Sequence, residues 1–70
     1  KTKLYLTIIQ GNTRKSIGHV NGENLPATII KAAGVALSKG LTSYRQDGGL
    51  GFWENSDGTR LFPSLKPYKT

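Results

Sequence analysis

Between Asn24 and Gly40 the chain carries one stretch of helical apolar period bounded by start and stop signals, and on either side of it the residues alternate or turn. Ile29, Ile30, Ala33, Ala36 and Leu37 fall on one face of a helix over residues 25–39, with Lys31, Gly34 and Ser38 elsewhere. Asn24 offers an N-cap oxygen, and Pro26 suits the first turn, where a backbone N–H has no helical partner to lose. Lys39-Gly40 complements the last carbonyls and then stops the helix. Gly34 costs about 1 kcal/mol relative to Ala in a helix interior, so its presence predicts another backbone packed closely against it, most simply a sheet.

The flanking segments supply that sheet. Residues 3–10 alternate Leu4, Leu6 and Ile8 against Lys3, Tyr5 and Thr7, the period of a half-buried strand. Gly11-Asn12-Thr13 is turn chemistry, and residues 14–20 return with Ile17 and His19 on one face and Ser16, Gly18 and Val20 on the other. After the helix, residues 41–46, 50–54 and 59–62 read as a three-strand meander. Its turns are Asp47-Gly48-Gly49 and Asn55-Ser56-Asp57-Gly58, and Pro63 ends its last strand. The expected fold is α+β: a small antiparallel sheet, β-β-α-β-β-β in chain order, with one helix packed on one face. Strand order within the sheet does not follow from the pattern.

Seventy residues at 36% hydrophobic leave room for one small core, so residues 1–70 are expected to form a single small basic domain, with 64–70 an extended tail. The absence of cysteine removes disulfides, thiolate zinc sites and thiol nucleophiles together. His19 is the lone imidazole and four carboxylates complete the acid–base inventory, three of them in or beside turns, so neither catalysis nor a metal or other cofactor is expected. Gly48-Gly49-Leu50-Gly51 lacks the Gly-Lys-Ser/Thr ending of a phosphate-cradling loop and reads as a hairpin turn. No apolar run approaches the ~18 residues a membrane span needs; the longest, Ala27 to Leu37, is broken by Lys31 and Gly34. Lys1 in place of Met fits a processed precursor and a trimmed chain alike, so the cytoplasm is the first expectation for compartment and secretion stays open.

Charge points to a partner class. The net charge is +6, with +4 over residues 1–21, −2 over 42–59 and +3 over 60–70. If the helix covers the face of Leu4, Leu6, Ile8, Leu50, Phe52 and Leu61, then Tyr5, Tyr44, Trp53 and Phe62 line the opposite face with Lys3 and Arg60 nearby. Aromatic sheet faces with basic edges suit single-stranded nucleic acid, because bases stack on rings while Lys and Arg track phosphates. The expected function is therefore a non-enzymatic nucleic-acid-binding module, DNA or RNA. Lys1, Lys3, Arg14, Lys15, Arg60, Lys66 and Lys69 would contact phosphates, and Tyr44, Trp53 and Phe62 would offer stacking surfaces. The same residues also suit a small inhibitor or adaptor docking on an acidic protein surface, a homodimer through the aromatic face, or a secreted cationic toxin. The bland alternatives are a solvated basic surface and a second mini-core in which the tail folds over the rings.

Overall fold

The computed structural model describes residues 1–66, which form one antiparallel sheet and one helix. The elements in chain order are β1 (Thr2–Gln10), β2 (Thr13–Gly22), α1 (Leu25–Ser38), β3 (Ser43–Arg45), β4 (Phe52–Glu54) and β5 (Arg60–Ser64). The sheet order is β2-β1-β5-β4-β3, so the meander after the helix returns its last strand to the free side of β1. The fold class and element order match the pattern read from the sequence. No helix of the described residues is long and apolar enough to cross a membrane. The expected tail is in part sheet, since Ser64 closes β5, and residues 67–70, with Lys69, lie outside the described residues.

Both helix termini form for the reasons read from the sequence. The Asn24 side chain accepts from the Ala27 N–H at 2.9 Å, and Pro26 sits in the first turn. At the other end the Gly40 N–H donates to the Leu37 carbonyl (3.0 Å) and the Leu41 N–H to that of Ala36 (2.9 Å), a Schellman closure. Leu41 is thereby drawn fully into the core beside Ala36 and is not the first residue of a strand; β3 starts only at Ser43.

The inward face of α1 keeps Ile29, Ala33 and Ala36 of the expected set but is rotated away from Ile30 and Leu37. Thr28, Ala32 and Ala36, at the i, i+4, i+8 spacing, are buried, whereas Ile30 and Leu37 are 72% and 60% exposed. Small side chains on this line let the helix lie close to the sheet, and Thr28 satisfies its hydroxyl by donating to the Asn24 carbonyl at 2.6 Å. Gly34 shares the outward side, with nothing within 4 Å of where a Cβ would stand, so no backbone packs against it. Gly34→Ala is expected to raise stability by about 1 kcal/mol, read as a higher urea midpoint. A lower midpoint would mean that something does pack there.

The core lies between α1 and the sheet: Leu6, Leu41, Trp53 and Leu61 with Ala32 and Ala36, flanked by Ile8, Ile17, Val20 and Ile29. Pro63 continues β5 instead of ending it. Beyond Phe62 the strand has only β1 as a neighbour, so one side of the chain there needs no donor. The turn between β4 and β5 is fastened by side chains. Thr59 donates its hydroxyl (2.7 Å) and its backbone N–H (2.9 Å) to Asp57 Oδ1, and these bonds hold that exposed carboxyl below its ordinary value of 3.8. A depressed carboxyl stabilises the fold at pH values above its unfolded value and loses that effect as pH falls through the folded one. The stability gap between wild type and Asp57→Ala should therefore be constant near neutrality and close as pH drops below 3.8, measured by denaturation at each pH.

Candidate functional site

One sheet face carries the helix; among the described residues no second layer covers the other. Which side chains reach that open face follows from the register. On β1, Leu4, Leu6 and Ile8 face the helix, leaving Lys3, Tyr5, Thr7 and Ile9 on the open side. Their β5 partners are Ser64 opposite Tyr5, Phe62 opposite Thr7 and Arg60 opposite Ile9. Glu54 pairs with Arg60, which sets Phe52 on the open side as well, and Arg45 lies opposite Phe52.

β2 joins this face through a bulge. Leu6 pairs with Gly18 but Thr7 pairs with Ser16, so Ile17 is an extra residue, and Gly18 takes φ +111°, a conformation that strains residues with a Cβ. The bulge breaks the simple alternation. Ile17 turns to the core, while His19, expected on the same face as Ile17, stands opposite Tyr5 on the open side. Ser16, opposite Thr7, Arg14, opposite Ile9, and Asn21, opposite Lys3, complete the strand's open side.

The rings therefore make a row that steps across four strands. His19 and Tyr5 lie 6.0 Å apart between centroids, tilted by 57°. Phe62 on the next strand stacks on Phe52 of the one after it, 4.8 Å apart and 29° from parallel. Phe52 is buried, while Tyr5 and Phe62 are half-buried and His19 is exposed. Cations flank the row: Lys3 Nζ is 5.7 Å from the Tyr5 ring centroid, and the Arg60 guanidinium carbon is 5.4 Å from that of Phe52. Glu54 is the one acid of this face among the described residues. It binds Arg45 Nε at 3.2 Å and Arg60 Nε at 3.5 Å, which leaves the terminal nitrogens of both guanidiniums as further donors.

The expected site residues are thus divided. Lys3, Arg14, Arg60 and Phe62 meet on the open face with Tyr5. Trp53 does not join them: it is 5% exposed, pairs with Leu61 and belongs to the core, so the expected exchange of Trp53 outward and Phe52 inward is reversed. Tyr44, opposite Trp53 and 5.1 Å from it between ring centroids, flanks the core side of the sheet edge. Lys15 pairs with Ile8 and projects on the helix side, where it lines a cleft with Gln10, Lys39 and Asp57. Lys1 lines a shallow hollow with Glu23 and Lys31, and Lys66 follows β5 as an exposed residue. His19, Phe52 and Arg45 are the site residues that the sequence pattern missed. No family model matches the chain, and comparisons with curated proteins and with solved structures find no match either.

Proposed function

We propose that this protein is a non-enzymatic nucleic-acid-binding module that takes its ligand on the open sheet face. The observation that carries this reading is the ring row of His19, Tyr5 and Phe62 on a sheet face that no second layer covers among the described residues, with Lys3 on one side of the row, Arg14 and Arg60 facing Ile9 on the other, and Arg45 opposite Phe52. Among the described residues, four cations against the single carboxylate Glu54 make the face attractive to phosphates, and the rings between them give bases an apolar surface.

Because Trp53 is buried, anisotropy of a labelled oligonucleotide is the suitable readout in place of tryptophan fluorescence. Binding through three or four phosphates should lose roughly 20- to 50-fold in affinity between about 50 and 200 mM salt. Reversing Lys3 and Arg14 together to Glu should abolish measurable binding while the melting temperature holds, since Lys3 and Arg14 are exposed. Absence of binding to any nucleic acid by the folded protein would sink the reading and turn attention to an acidic protein surface, which the same cations would suit.

A further inference from the structure

The spacing of the rings says what form of nucleic acid fits them. His19 and Tyr5, 6.0 Å apart and tilted, are too close to admit a base between them and act as one platform. Phe62, propped on Phe52, is the second. Tyr5 and Phe62 stand on adjacent strands two residues out of direct opposition, because Phe62 faces Thr7. Such diagonal neighbours lie about 7–8 Å apart across a sheet. Stacked bases in a duplex strand rise only about 3.4 Å per step. A base on each platform is therefore unstacked from its neighbour, which a paired duplex does not allow.

Resting on the proposed function, we infer that the ligand is single-stranded and that the site holds two successive unpaired bases. One lies on Tyr5 and His19, the next on Phe62, which Phe52 supports from within the sheet face. The strand crosses the sheet from β2 towards β3, with Lys3 beside the first platform and Arg60, itself held by Glu54, beside the second. The helix offers no competing surface for duplex. Its outward side presents Ile30, Gly34 and Leu37, and Lys31 is its only cation between Pro26 and Ser38.

The test compares four labelled ligands of equal length against the whole protein: single-stranded DNA, single-stranded RNA, duplex DNA, and a single DNA strand whose central nucleotides are abasic. The two intact single strands should bind most tightly, and the tighter of them names the polymer. Tyr5→Ala should weaken both roughly ten-fold, the scale of one lost base stack, and leave the abasic strand unaffected; Tyr5→Phe should restore binding. His19→Ala, at an exposed position, should give a smaller loss of the same kind and serves if Tyr5→Ala fails to fold. Abasic or duplex DNA binding as tightly as the intact strands, or Tyr5→Ala and His19→Ala without effect on them, would overturn the two-base site while the nucleic-acid reading stood. Failure of all four ligands would remove both.

Discussion

Trp53→Ala should remove a large share of the stability of the chain, about 3–5 kcal/mol. The indole is 5% exposed and sits among Leu6, Leu41, Leu61, Ala32 and Ala36, so its removal opens the largest void a single truncation can make in this core. Truncating a buried Trp costs about 3–5 kcal/mol. A chain of this length has only about 4–10 kcal/mol to lose. Circular dichroism and a urea titration would read the effect directly, and Trp53→Phe should recover part of it. A folded, cooperatively melting Trp53→Ala protein whose only defect was weaker ligand binding would mean that the ring belongs to the open face after all.

Gly51→Ala is the second severe change, and its cause is geometric. Gly51 is buried at φ +82°, and a Cβ there would enter the Tyr44 hydroxyl and come within 2.9 Å of the Arg45 carbonyl. Tyr44 has little room to yield, because its hydroxyl donates to the Leu50 carbonyl at 2.6 Å and its ring rests against Trp53. The loop around it is fastened as well: Asp47 Oδ1 accepts the N–H groups of Gly49 (3.0 Å) and Gly51 (3.2 Å). Strain and displacement together should cost about 2–4 kcal/mol. Gly49→Ala is the control, since a Cβ there meets only Asp47 Oδ1, at 3.5 Å, and it should shift the urea midpoint far less. Equal effects at the two positions would contradict the clasp between Tyr44 and the β3–β4 loop.

What could be read from the residues alone was whatever depends on local rules. The Asn24 cap, Pro26, the stop at Gly40 and the alternation of Leu4, Leu6 and Ile8 each state their structure within a few residues. The face assignments failed where two readings satisfied the same rule. Phe52 and Trp53 are adjacent and both apolar, so a period of two cannot choose between them. The choice is made by pairing with Leu61, a partner eight residues away. Ile17 and His19 obey alternation until a bulge inserts a residue. The Gly18 that permits it gave a local warning, for glycine inside a strand often marks such a kink. On the helix, the apolar period groups Ile30 and Leu37 with Ile29, Ala33 and Ala36, yet the closest fit to the sheet falls to Thr28, Ala32 and Ala36. The ring row of the candidate site joins four strands distant in sequence, and only the strand order assembles it.

The bulge in β2 also bears on how copies of this chain behave in each other's company. β2 is ten residues long and borders the sheet, so its outer backbone groups could template a strand from a neighbouring molecule and begin fibril-like growth. The kink at Ile17 interrupts that template midway, and Arg14 and Lys15 set like charges against any identical strand approaching in register. The opposite border, β3, is three residues long and gives too short a run of pairing to hold a stranger. Smoothing the β2 border, by deleting Ile17 and replacing both cations, would remove both obstacles to strand addition at that edge.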